Sequence, residues 1–327
     1  MKEKIKTFFC VLFLACSLPY IITLCLQGKE GQSGVFQNVT SQKTDGKQEG
    51  EEEKENSKEK SSEEEAGSEV KSQEDLDIEA FLVGVVAAEI PLDYELEALK
   101  AQAVIARTNL KSAIEQGEEL PESLSQEELL DMWGEEGYLD HYQRLSKAVE
   151  STRGVVMQYQ GNYPYAAFHA VSAGRTRNAK EALESDAMPW LEGTDSTKDI
   201  PSEEFLKVTF FEKKEFAESL KTSFSELEMN EEAPLEGIEI TTRDSGDYVI
   251  TIVCNGKELK GEEFRNALGL PSACFYIKEV EGKIRIVTKG LGHGLGMSQY
   301  GANVMAQEGS SYKDILNYYF KNIEISD

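Results

Sequence analysis

Positive charge is scarce in this 327-residue chain, where 34 lysines and arginines face 60 aspartates and glutamates for a formal net charge of −26. Phosphate backbones are bound through basic surfaces, so no nucleic-acid partner is expected. Cysteine is scarce as well. Of the five, Cys10, Cys16 and Cys25 fall in an apolar N-terminal run. The other two, Cys254 and Cys274, read equally well as a disulfide or as two buried thiols. The three histidines, His141, His169 and His293, share no zinc-ligand spacing. There is no Gly-Lys-Ser/Thr phosphate loop and no strong dinucleotide fingerprint, so no cofactor is expected.

What is present begins with targeting. Lys2, Lys4 and Lys6 precede an uncharged stretch from Thr7 to Leu26, about the length that crosses a bilayer. Residues 1–26 are therefore expected to be a cytoplasmic tip and an uncleaved transmembrane anchor, since no Ala-x-Ala site follows. A lipid on Cys16 is disfavoured because the apolar run continues past it. Residues 27–75 are rich in Glu, Lys, Ser, Gln and Gly, with almost nothing to bury. A disordered acidic linker is expected there, with a reach of roughly 40 Å.

The folded part is expected over residues 76–327 and is organised around Ile78–Lys111. Ile78, Phe81, Leu82, Val85 and Val86 lie on one helical face, and the next position on that face is Glu89. A carboxylate thus occupies a core position, and Pro91 ends the helix just beyond it. Desolvation and the negative end of the helix dipole should both raise its pKa. A second helix is expected from about Asp93, with Leu96, Leu99, Ala103, Ala106 and Leu110 as its buried seam. Lys100, Arg107 and Lys111 flank that seam as a short basic stripe.

Ser125-Gln-Glu-Glu128 is a capping box opening a short helix, and a further helix is expected from Leu139 to Thr152. His141 on it reads as surface or core. Val155–Gln160 and Tyr163–Val171 read as a hairpin across Gly161-Asn162. The second strand carries His169 into the polar loop Ser172-Ala-Gly-Arg-Thr176. Residues 206–289 alternate strands and helices as an inserted α+β subdomain, read as scaffold or substrate wall. Four glycines around His293 suit close approach of a ligand, Ser298 caps a helix through Met305, and a last helix spans Tyr312–Phe320. The fold class is α+β, a mixed helical and β-hairpin region with an inserted α+β subdomain.

The segments AAEIPLDYELEALKAQAVIART, FHAVSAGRT, LKGEEFRNALGLPSACF and GLGHGLGMSQYGANVMAQEGSSYKDILNYYF, in that order, resemble the stage II sporulation protein D family from about residue 76 to the end. The resemblance implies a membrane-anchored lytic transglycosylase that cuts the MurNAc–GlcNAc bonds of peptidoglycan glycan strands and leaves 1,6-anhydro ends. It implies, as partners, a cell-wall amidase and a membrane protein of the engulfment complex. It also places the catalytic glutamate at Glu89 and the basic positions of the next helix at Lys100 and Arg107. Zinc-binding members use Cys and His near the segment of His169; this segment has no cysteine, so no metal is expected. Leu291 stands where the glycine-rich motif usually carries Trp or Arg.

The chemistry agrees with that resemblance. A lytic enzyme needs one carboxyl with a raised pKa, because the sugar's own C6 hydroxyl attacks, whereas hydrolytic glycosidases use two. Glu89 is the expected acid and base. Lys100, Arg107, His169, Ser172, Thr176, His293, Ser298 and Gln299 are the expected substrate-binding residues, with Arg107 beyond pairing distance of Glu89. The rival readings are a non-catalytic glycan-binding module that stimulates an amidase, a zinc hydrolase using the three histidines, and a structural tether.

Overall fold

The computed structural model describes residues 77–326. The anticipated anchor and linker lie outside them, and none of the described helices is long and apolar enough to cross a membrane. The architecture is mixed α+β, with eight α-helices and several small sheets among the described residues.

Helix α1 (Ile78–Glu89) is capped by the Asp77 side chain, which accepts from the Ala80 amide, and it stops where Ile90 turns extended before Pro91. Its buried residues Leu82, Val85 and Val86 are each worth roughly 1.5–3 kcal/mol of burial. Helix α2 (Leu96–Gln116) begins three residues later than the Asp93 expectation. Residues 91–94 instead form a turn closed by Tyr94 N–H to Pro91 C=O. The Glu95 amide is held by Asn303 at 2.7 Å, so a tertiary contact sets the helix start. Helix α3 (Gln126–Glu150) has the anticipated Ser125/Glu128 capping box and joins the two expected helices across a kink at Gly134.

Helix α2 is the axis of the molecule. One face, with Leu99, Ala103, Ala106 and Leu110, packs against α1 and α3. The other, with Ala98, Ala101, Val104 and Ile105, packs against the C-terminal half of the chain. That second core includes β1 (Val156–Gln158), β9 (Met297–Ser298), α7 (Gln299–Gln307) and α8 (Tyr312–Tyr319).

The expected hairpin over 155–171 does not form. Tyr159 and Asn162 close the tight turn, but Pro164 has no N–H to continue a ladder. Strand β1 pairs antiparallel with β10 (Glu324–Ser326) at the C-terminus. Strand β2, only Phe168–His169, pairs parallel with β9.

A separate core gathers residues from Phe211 to Ile286. It sits between the sheet β3-β8-β7 (Leu206–Glu212, Lys283–Lys289, Phe275–Val280) and the sheet β4-β5-β6 (Ile238–Arg243, Val249–Cys254, Lys257–Lys260). Strand β6 has no counterpart in the sequence reading. Helices α5 (Lys213–Ser223) and α6 (Gly261–Ala267) pack into this core. Cys254 and Cys274 are free and buried, and burial pushes their thiols up to about 11 and about 12.

Arg107 departs from the basic-stripe reading. It is fully buried, and its guanidinium takes Glu79 of α1 through Nε at 3.0 Å and Nη2 at 2.5 Å. It also donates to the Val149 and Val155 carbonyls at 3.1 Å. A buried pair of this kind is costly to break on one side only. Arg107→Met is expected to lower unfolding free energy by about 3–5 kcal/mol. The double variant Arg107→Met/Glu79→Met should recover most of the loss, as read by urea denaturation.

Candidate functional site: a carboxyl held by two amides

Glu89 is the last residue of α1, where backbone carbonyls have no partner within the helix. Its own carbonyl accepts from Gln299 Nε2 at 2.7 Å, so α7 caps α1 with a side chain. The same amide nitrogen lies 3.2 Å from Gln102 Oε1. With its oxygen so engaged, Gln102 turns its nitrogen to the carboxyl and donates to Glu89 Oε2 at 2.8 Å. The order of donors is thus fixed from Gln299 to Gln102 to Glu89. Oε2 takes the hydrogen bond, which leaves Oε1 as the oxygen that carries the proton of the neutral acid.

Although Glu89 is only half-buried as a residue, desolvation of its carboxyl raises the pKa to about 7, against the lowering effect of the Gln102 hydrogen bond. The sequence argument for a raised value rested on burial and on the helix end; burial is the dominant cause. Among the described residues, the hydrogen bond to this carboxyl comes from an amide and not from a second acid.

Behind Gln299 stands a buried aspartate that the sequence reading missed. Asp199 Oδ2 accepts from the Ser172 amide at 3.0 Å and from Ser196 Oγ at 2.9 Å. Its Oδ1 accepts from Ser298 Oγ at 2.8 Å. Ser298 in turn caps α7 by accepting from the Gly301 amide. Burial raises the Asp199 pKa against these hydrogen bonds. Asp199 therefore fixes the end of α7 from which Gln299 projects. Tyr94 closes the same neighbourhood; burial, then the nearby Asp93, Tyr300 and Asp199, push its phenol up to about 12.

The residues expected to bind substrate have other employment. Lys100 pairs with Glu97 at 2.6 Å, and Glu97 also accepts the Tyr312 amide at the start of α8. Arg107 is consumed by Glu79, as described above. Ser172 and Thr176 are buried. The Ser172 hydroxyl accepts the Gly174 amide, and Thr176 clasps the backbone of Thr194. Ser298 is bonded to Asp199 and caps α7, and Gln299 bonds the Glu89 carbonyl and Gln102. His141 lies against Trp133 on α3, ring centroids 5.6 Å apart.

His169 and His293 do come together, with ring centroids 5.8 Å apart. His169 Nδ1 donates to the Leu295 carbonyl and His293 Nδ1 accepts the Leu295 amide. That bonding fixes opposite tautomers, and among the described residues neither buried Nε2 makes a hydrogen bond of ordinary geometry. Burial lowers the His169 pKa to about 4 and that of His293 well below its usual value. Two imidazoles without a thiolate or a third carboxylate or imidazole do not make a zinc donor set. Among the described residues no group of three or more His, Cys, Asp or Glu converges for a metal.

The glycine-rich loop packs closely on the protein itself. Gly292 and Gly296 have positive φ, and a Cβ on Gly292 would stand 2.8 Å from the His169 Cβ. A Cβ on Gly296 would collide with the Ala167 carbonyl. These two glycines let the loop press on the β2 segment.

The arrangement defines an α+β protein with one amide-clamped carboxyl at a helix end, able to exchange a proton near neutral pH. Residues 66–159 match the family model for stage II sporulation protein. Stage II sporulation protein D of Bacillus amyloliquefaciens is 37% identical over 270 residues, covering 78% of this chain and 76% of that one. Its counterpart in Bacillus subtilis strain 168 is 36% identical over 275 residues, covering 79% and 76%. An amidase enhancer of the same strain is 28% identical over 287 residues, covering 73% of this chain and 39% of that protein. The chain belongs to the stage II sporulation protein D family.

Two outcomes follow from the clamp. Gln102→Leu removes the interaction that lowers the Glu89 pKa, so a carbon-13 NMR titration should place that carboxyl above the wild-type value of about 7. Because the folded pKa lies above the unfolded one, near 4.5, the contribution to stability is complete below pH 4.5 and is lost as pH rises through 7. Glu89→Gln should therefore be more stable than wild type at pH 8 by about 2 kcal/mol, the full shift of ~3.4 kcal/mol being reduced by solvent screening of a half-buried group, and equal to it at pH 4.5, as read by thermal unfolding.

Proposed function

We propose that this chain is a lytic transglycosylase of sporulation that cleaves the MurNAc–GlcNAc bonds of peptidoglycan. Glu89 is its single acid and base. The observation that carries the reading is a carboxyl at a helix end whose hydrogen-bond partner is an amide, with burial raising its pKa to about 7.

In the reaction, Glu89 Oε1–H gives its proton to the glycosidic oxygen as the C1–O bond of MurNAc breaks, and GlcNAc leaves with a free 4-hydroxyl. The C6 hydroxyl oxygen of the same MurNAc bonds to C1, and its proton passes to Glu89. The 1,6-anhydro ring forms, the carboxyl is regenerated and no water is consumed. A group near pH 7 serves both proton transfers. Gln102 stabilises the transient carboxylate at Oε2, and Gln299 holds Gln102 and the helix end in place.

The proposal includes an anchor at residues 7–26 in the cell membrane, with the folded part outside the cytoplasm. A cell-wall amidase and a membrane protein of the engulfment complex act beside it. Membership of the stage II sporulation protein D family supports the sporulation setting. A second reading, a glycan-binding stimulator of an amidase, draws on the similarity to the amidase enhancer. Mass spectrometry of denuded glycan strands separates the two. The wild-type chain should generate anhydro-MurNAc ends, and Glu89→Gln should lose at least about 100-fold in rate while still binding strands. Wild-type protein that binds strands and yields no anhydro ends would establish the stimulator instead.

A further inference from the structure

A groove of about 640 Å³ lies at the far end of α2, away from Glu89. Its wall includes Gln116 of α2, the turn residues Tyr159, Gln160, Asn162 and Tyr163, and Trp190. Gln116 follows Gln102 by fourteen residues on one helix, which separates the groove from the carboxyl clamp by ~20 Å.

The aromatic part is held in place. The Tyr159 and Trp190 rings are 5.1 Å apart and tilted by 50°. Trp190 donates its indole N–H to the Tyr165 carbonyl at 2.9 Å, and its own carbonyl accepts the Lys321 amide. Tyr159 and Asn162 exchange backbone hydrogen bonds of 2.9 and 3.1 Å. That turn, with Gln160 and Gly161 at positive φ, presents the two exposed amide side chains Gln160 and Asn162.

The chemistry of the wall selects a ligand class. No Leu, Ile, Val or Met lines it, so it lacks the apolar pockets that take peptide side chains. No Lys or Arg lines it either, so it lacks the cations that anionic phosphate groups require. What remains is aromatic faces and amides beside the carboxylates of Glu115 and Asp186, which accept hydrogen bonds from sugar hydroxyls. The negative face of an aromatic ring attracts the C–H face of a pyranose, and amides offer both donors and acceptors to hydroxyl and acetamido groups.

We propose that this groove is a second glycan-binding site, taking N-acetylglucosamine units of a strand through its rings, amides and carboxylates, remote from Glu89. The assignment of a peptidoglycan strand as the ligand rests on the function proposed above. The groove retains one part of a strand while the carboxyl acts on another.

The chain has two tryptophans, so Trp133→Phe leaves Trp190 as the sole indole reporter. The full chain with that substitution, in a polyoxyethylene detergent that carries no sugar, is titrated with the tetramer of N-acetylglucosamine. A saturable change in Trp190 emission is expected. Tyr163→Ala and Gln116→Ala, both away from the core, should each weaken binding by about fivefold, and Glu89→Gln should leave it unchanged. No saturable response, or one abolished by Glu89→Gln and insensitive to Tyr163→Ala, would overturn the groove. Anhydro products without a Trp190 response would sink the groove alone. A Trp190 response without products would sustain the groove and sink the enzyme.

Discussion

Helix α2 is buried on both faces, and most of what the protein does follows from that. A polar side chain on a buried face of such a helix must find its partner inside the protein, because an unsatisfied buried group costs about 1–3 kcal/mol. Four polar residues along it meet this demand with four different parts of the chain. Gln102 takes Glu89 and Gln299, and Arg107 takes Glu79. Thr108 donates to Val104 and accepts from Met157. Asn109 exchanges both its amide groups with the Ala166 backbone. The helix therefore fixes α1, β1 and the segment before β2 by specific bonds as well as by packing. Glu89 is held where it is as one outcome of satisfying this interior.

How much of this was legible depended on whether the signal was local. The period of α1 located Glu89 at a core position of the last turn, because one helical face determines that by itself. The capping box at Ser125 and the final helix were readable for the same reason. Gln102 carries equal weight in the site, yet it stands in an alanine-rich run where an amide gives no periodic signal. It could have been found by asking what a polar residue next to Leu99 and Ala103 would bond. Arg107 was read as part of a stripe because spacing along a helix does not reveal a buried Glu79 twenty-eight residues away. The hairpin failed for a related reason. Its turn formed, but Pro164 and the distant C-terminal strand decided the pairing.

The β-rich part of the chain is bound to the site by one buried arginine. Arg177 donates to Asp244 at 2.6 Å and to Glu262 at 2.6 Å, and its guanidinium lies 4.9 Å over the Tyr248 ring. The same side chain reaches the His293 carbonyl, and its backbone amide bonds Gly294. Tyr248 also accepts the Ala173 amide. The glycine-rich loop is thereby clamped between β2 and the second core, and the strand it leads into delivers Ser298 and Gln299. Residues 206–289 thus act on Glu89 through that loop, without a side chain of their own near the carboxyl.

The poise of Glu89 is a balance between two opposed effects of the same packing. Burial alone would drive the carboxyl further up and make it a proton donor that rarely recovers its charge. A cation at bonding distance would have the reverse effect and leave a permanent carboxylate with no proton to give. The fold avoids the second case by committing cations elsewhere: Arg107 to Glu79, Lys100 to Glu97 and Arg144 to the Leu92 and Tyr94 carbonyls. It moderates the first with a neutral amide whose direction is set by Gln299. An amide bonds both forms of the acid at Oε2, more strongly when the oxygen is charged. It therefore lowers the pKa without fixing the protonation state. In the proposed reaction the group releases a proton and takes one back within a single turnover, which calls for that kind of partner, and an amide held from behind supplies it.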